Sequence, residues 1–187
     1  MPTSIDLYSV VIQSLPNVNG IEVTPEQLFS YIRINFNSFL DPNIAPLRAY
    51  EPQDALQWNS NNPLNTAMTF DIKKDLINID DAGVMVTCST SLSWIFSTIQ
   101  NPKNFQHPVS GNRYFGLSRN LDGTYTFSIK GIDRLTGMAD VQLGDNDAFA
   151  EAHKLWTRAI LSIADGIRRQ GGTAYVPESY SARIILK

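Results

Sequence analysis

Residues 146–170 read as one helix whose apolar positions, Phe149, Ala152, Trp156, Ile160, Ile163 and Ile167, step by three or four into an unbroken stripe. Asn146 or Asp147 can cap its start, Arg168 and Arg169 suit its C-terminal end electrostatically, and Gly171-Gly172 stops it. A stripe of that length must be covered, and most of the remaining chain offers strands to cover it. Ala67, Thr69 and Asp71 alternate with Met68, Phe70 and Ile72. Residues 83–90 and 92–99 read as two further strands, the second setting Leu92, Trp94 and Phe96 on one face. Residues 113–118 and 124–130 flank Asn120-Leu121-Asp122-Gly123, a hairpin turn, with Tyr125, Phe127 and Ile129 pointing inward.

The flanks complete the pattern. Residues 5–12 are apolar and β-branched enough for a strand, followed by a turn at Asn17-Val18-Asn19-Gly20. Thr24, Pro25 and Gln27 form a helix start with a capping box, and Leu28, Ile32, Phe36 and Phe39/Leu40 keep helical spacing to Asp41-Pro42. Residues 173–176 and 182–186 read as a closing strand pair around Pro177. Strands mostly follow strands. The expectation is therefore α+β: a curved, mainly antiparallel sheet packed against a long C-terminal helix (about 146–170) and an N-terminal helix (about 25–40), with 1–187 as a single domain.

Residues 41–66 differ in kind. Pro42, Pro46, Pro52 and Pro63 are interleaved with Asn59, Asn61, Asn62 and Asn65. Proline at that density predicts an irregular surface segment pinned by Leu47, Tyr50, Leu56 and Trp58. Segments of that length inside compact domains are often binding loops, and Trp58 is its candidate contact residue.

The chemistry-bearing residues concentrate in Gln106-His107-Pro108-Val109-Ser110-Gly111-Asn112-Arg113-Tyr114-Phe115-Gly116, read as a loop between strands. His107 titrates near neutrality and suits general acid–base work. Gly111 and Asn112 backbone N–H groups with Arg113 suit an anion, and Ser110 lies close by. The structural alternative is a turn fixed by Pro108 and Gly111, with Arg113 paired to a nearby acid. A second segment, Gly131-Ile132-Asp133-Arg134-Leu135-Thr136-Gly137, puts an acid beside a base after a strand. There Asp133 can orient His107 and Arg134 can grip a phosphate or carboxylate, or the two simply form a surface pair.

Several functions are excluded or left without support. Fifteen Lys+Arg against eighteen Asp+Glu argue against a general nucleic-acid binder. The lone Cys88, expected as a buried inert thiol, leaves no disulfide framework or multi-cysteine metal site. His153, beside the helical stripe, reads as a hydrogen-bonded structural residue. With two histidines in the chain no metal-ligand spacing exists; Asp75, Asp80 and Asp81 surround the second strand region, where Asn78-Ile79-Asp80-Asp81 reads as a solvated turn, so no metal is expected. Phosphate-loop, dinucleotide and serine-nucleophile motifs are missing, and no cofactor is expected. No apolar run approaches the roughly 20 residues of a membrane span, and no export signal is read at Met1–Asp6. The default expectation is a soluble cytoplasmic protein, with signal-less export left open.

Three readings remain. The first is a non-catalytic module that recognises a protein partner or a small polar ligand through the His107–Arg113 loop and the 41–66 segment. The second is a small hydrolase or transferase, such as an exported effector, with His107 as acid–base, Asp133 orienting it, and Arg113 and Arg134 steadying a developing anion. The third is a structural subunit that self-associates through the edge strands at 5–12 and Ile184-Ile185-Leu186.

Overall fold

The computed structural model describes residues 2–74, 77–100, 107, 109–136 and 145–186. Strand β1 (Thr3–Ser14) alternates as expected, burying Ser4, Asp6, Tyr8, Val10 and Ile12 on one face. A small hairpin follows, β2 (Asn17–Val18) with β3 (Ile21–Glu22), turning through Asn19 and Gly20 at φ 54° and 83°. Helix α1 (Pro25–Ile34) begins at the capping box. The Gln27 N–H donates to Thr24 Oγ1 at 3.2 Å, and the Thr24 N–H donates to Gln27 Oε1 at 2.8 Å. The helix is shorter than the 25–40 read from apolar spacing. Asn35 ends it by donating its side-chain amide to the Tyr31 carbonyl at 2.9 Å, and a 3-10 turn, Phe36–Phe39, continues the buried face.

The 41–66 segment is more regular than its proline content predicts. It contains β4 (Leu47–Ala49), at the edge of the sheet, and a two-turn helix α2 (Pro52–Trp58). Pro52 sits at the start of α2, where a missing N–H costs nothing, and the Glu51 N–H donates to Asp54 Oδ2 at 3.1 Å. Leu47 and Trp58 are buried as expected, whereas Leu56 is exposed. Buried Arg33 ties α2 to α1 by donating to the carbonyls of Trp58 and Ser60, the latter at 2.8 Å.

Five strands then meander antiparallel: β5 (Ala67–Lys74), β6 (Ile77–Thr90), β7 (Ser93–Thr98), β8 (Val109–Arg119) and β9 (Tyr125–Leu135). Residues 78–81, read as a turn, run inside β6; Asp75 lies outside the described residues, as does the side chain of Asp80. A register shift between Val86 and Cys88 reverses the alternation there, so Cys88 is exposed rather than buried. The hairpin turn before Gly123 (φ 87°) forms as expected.

Helix α3 (Asp145–Arg169) carries the long stripe; the capping expected of Asn146 or Asp147 lies outside the described side chains. Gly171 takes φ 81° and the Gly172 N–H donates back to the Ile167 carbonyl at 3.1 Å, ending α3. The last two strands, β10 (Thr173–Tyr175) and β11 (Ser181–Leu186), do not pair with each other. Both lie along the same edge of β1. Among the described residues the sheet has nine strands, running β10-β1-β9-β8-β7-β6-β5-β4 with β11 also on β1. It wraps α3, whose Ile160, Ile163 and Ile167 meet Tyr8, Phe115, Phe127 and Ile129 in one core. Among the described residues no helix is long and apolar enough to cross a membrane.

Candidate functional site

The segment read as a loop and the one read as following a strand are both largely strand, and the pleat of β8 and β9 sorts their reactive residues onto opposite faces. Gln106, Pro108 and Gly137 lie outside the described residues. From Val109 onward β8 turns Val109, Gly111 and Arg113 toward α3, and β9 turns Gly131 and Asp133 the same way. Ser110, Asn112 and Arg134 therefore face outward and are exposed. Ser110 stands opposite Arg134 in the register, and Asn112 Oδ1 accepts from Ser97 Oγ at 2.5 Å. Trp58 joins neither group. It is buried, stacked on Phe96 at 5.6 Å with the Arg33 guanidinium 5.3 Å from its ring.

Inside, Arg113 holds two buried carboxylates at once. Its Nη1 and Nη2 donate to Asp6 Oδ1 and Oδ2 at 2.7 and 3.1 Å, and Nη2 also donates to Asp133 Oδ2. The guanidinium lies 4.6 Å from the Trp156 ring centre, so one face is covered by α3. Gly131 makes this possible: a Cβ there would run into the Arg113 guanidinium. Burial alone would lower the pKa of Arg113, but Asp133 and Asp6 outweigh it and raise it. Burial pushes the Asp133 carboxyl above its ordinary value, and Arg113 only partly pulls it back. Tyr8, beside this cluster, hydrogen-bonds His153 Nδ1 at 3.0 Å, and burial followed by the Asp6 charge raises its phenol pKa.

His107 reaches the same interior but makes no hydrogen bond to Asp133 among the described residues. Its Nδ1 accepts from the Val109 N–H at 3.1 Å, which leaves the ring proton on Nε2. Burial, with the Arg113 charge adding to it, lowers the imidazole to about 4. At neutral pH His107 is an uncharged hydrogen-bond donor.

His107, Arg113 and Asp133 all line a cavity of about 110 Å³ between the inner face of the sheet and the first half of α3. Its remaining wall is mainly apolar, with Phe70, Val84 and Phe96 from the sheet, Ala152, Leu155 and Trp156 from α3, and Ile44 and Ala45 ahead of β4; the further charged residue on it is Glu151, paired with Lys154. Asp6, Trp156 and Gly131 also shape the site, beyond the candidates that stand out in the sequence. Asp6 did carry a readable signal, since it falls in phase with buried Tyr8, Val10 and Ile12, and an acid on that face needs a cation.

No family model matches the chain, and no curated protein matches it. Solved structures do share its fold. Ara h 8.0201 superposes with a TM-score of 0.55 at 12% identity, covering 88% of this chain and 99% of that one. The ginseng major latex-like protein 151 from Panax ginseng gives 0.56 at 6% identity, covering 88% and 97%. The di-domain ARO/CYC StfQ from the steffimycin biosynthetic pathway gives 0.50 at 13% identity, covering 89% of this chain and 49% of that one, so this chain spans about half its length. The fold is the α+β helix-grip of the Bet v 1-like type, an antiparallel sheet around a long C-terminal helix with short helices near the N-terminus.

Proposed function

We propose that this protein binds a small, mainly apolar molecule in the cavity between the sheet and α3 and holds it without transforming it. The observation that carries the reading is the cavity itself: about 110 Å³ of space, walled mainly by aliphatic and aromatic side chains. An engineered apolar cavity of about 150 Å³ takes up benzene, so a volume of this order suits a single ring or a short chain. The likeness to StfQ, a protein of steffimycin biosynthesis, is in keeping with a fold that handles small molecules. His107 supports holding over acid–base chemistry, being neutral, with Nδ1 already engaged and Nε2–H left to donate. The 41–66 segment enters this reading only through Ile44 and Ala45, and Trp58 plays no part in it.

The test is fluorobenzene binding followed by ¹⁹F NMR, with Ala152→Leu as the cavity-filling variant. The wild type is expected to bind. The variant is expected to lose binding while melting no lower than the wild type, because added methylenes occupy empty space. Absence of wild-type binding, or undiminished binding to the variant, refutes the reading.

A further inference from the structure

The buried charges at the cavity wall and directly behind it do not balance. Asp6 and Asp133 formally carry two negative charges against the single positive charge of Arg113, and all three are largely withdrawn from water. Asp6 is satisfied at both oxygens by Arg113, whereas Asp133 is held only through Oδ2. Among the described residues Asp133 Oδ1 accepts no hydrogen bond, although Asp133 is only 8% exposed and lines the cavity. Even Ser4, its partner across the β1–β9 register, leaves its buried hydroxyl unpaired. Among the described residues no cation besides Arg113 contacts either carboxylate, although Arg183 stands opposite Asp6 across the β1–β11 register. Arg183 is exposed and donates to the Phe149 carbonyl at 3.1 Å, and Lys154 pairs with Glu151 at 2.5 Å. Lys130 and Arg134 alternate onto the outer face of β9, away from the cavity.

We propose, resting on the reading of this cavity as a ligand site, that its ligand is a small apolar amine whose ammonium group seats against Oδ1 of Asp133. A carboxylate that the fold has already desolvated attracts a cation more strongly than one in water, and its orientation is set in advance by Arg113. The ammonium supplies the missing positive charge, and the apolar remainder of the molecule fills the space against Phe96, Leu155 and Trp156. The upward push of burial on Asp133 fits a carboxyl short of counter-charge. An anionic ligand meets the opposite situation: Arg113 already faces two carboxylates, and the excess negative charge repels it.

Four single-ring probes of similar size separate the outcomes: benzylamine, benzyl alcohol, toluene and benzoate, each titrated calorimetrically at pH 7 against wild type and Asp133→Asn. Benzylamine is expected to bind at least tenfold more tightly than benzyl alcohol or toluene, and benzoate most weakly. In Asp133→Asn the advantage of benzylamine over benzyl alcohol should shrink to within about twofold. If toluene or benzyl alcohol binds as well as benzylamine, the amine inference is overturned and the apolar cavity reading stands. If no probe binds, both fall. Should Asp133→Asn fail to fold, the wild-type rank order decides on its own, with benzoate or toluene ahead of benzylamine overturning the proposal.

Discussion

Replacing Arg113 with methionine tests whether the buried triad has the character described for it. The side chain is 8% exposed, and its removal leaves Asp6 and Asp133 facing each other without their shared cation. Stripping one partner from a buried ion pair costs about 3–5 kcal/mol. Methionine retains most of the packing against Trp156 but not the cation–π contact. At about 2–4 °C per kcal/mol for a chain of this size, the melting midpoint at pH 7 should fall by roughly 6–20 °C.

The pH dependence gives the sharper criterion. Asp133 has a folded pKa above its unfolded value, so between the two the folded state binds more protons, and its contribution to stability rises as pH falls through that window. Removing Arg113 takes away the charge that pulls Asp133 down, so the window extends to higher pH. The gap between variant and wild type should therefore narrow on acidification from pH 7 to 4.5, measured by urea unfolding at each pH. Replacing all three residues together, with Asp6→Asn and Asp133→Asn added, should recover a large part of the loss, since no buried charge then stands unpaired. A deficit under about 1 kcal/mol at pH 7, or a gap that widens on acidification, would refute the triad as a desolvated unit.

Two further outcomes follow from the same wall. His107 is held at about 4 against an ordinary 6.5, so its contribution to stability is present above pH 6.5 and lost as pH falls toward 4; the difference amounts to at most about 3 kcal/mol. His107→Asn keeps an acceptor for the Val109 N–H and removes the titration, so its urea-unfolding profile should be flatter than that of the wild type across this range; an unchanged slope would place the titration elsewhere. Gly131→Ala puts a methyl where the Arg113 guanidinium lies and should cost about 1–3 kcal/mol by thermal unfolding, with the same narrowing at low pH as Arg113→Met; a neutral effect would show that the guanidinium has room to move.

The elements legible in the sequence are those whose side-chain period carries their packing. The stripe from Phe149 to Ile167, the Thr24–Gln27 capping box and the Asn120–Gly123 hairpin all form as their spacing predicts. The misreadings have separate physical origins. Proline density reads as irregularity, yet Pro52 stands at the first position of a helix, where it is harmless, and β4 lies at a sheet edge. Cys88 follows a change of register, which depends on how β6 pairs with β7 and leaves no mark in composition.

The site was half legible for a related reason. His107, Arg113 and Asp133 stand out as reactive types, and Ser110, Asn112 and Arg134 stand out with them because Gly111 and Gly131 interrupt the β pattern just outside the strands read at 113–118 and 124–130. Glycine is costly in a strand unless something needs the space of a side chain. At Gly131 that something is the guanidinium of Arg113, and at Gly111 a Cβ would run into the Ile132 carbonyl and the Asp133 carboxylate. The two positions that obscured the strands are thus the ones that admit buried charge to the inner face of the sheet. Once β8 and β9 are carried through their glycines, period-two alternation alone separates the inward from the outward candidates. The same alternation along β1 puts Asp6 beside them, completing the triad in which Asp133 Oδ1 is left without a hydrogen-bond partner among the described residues.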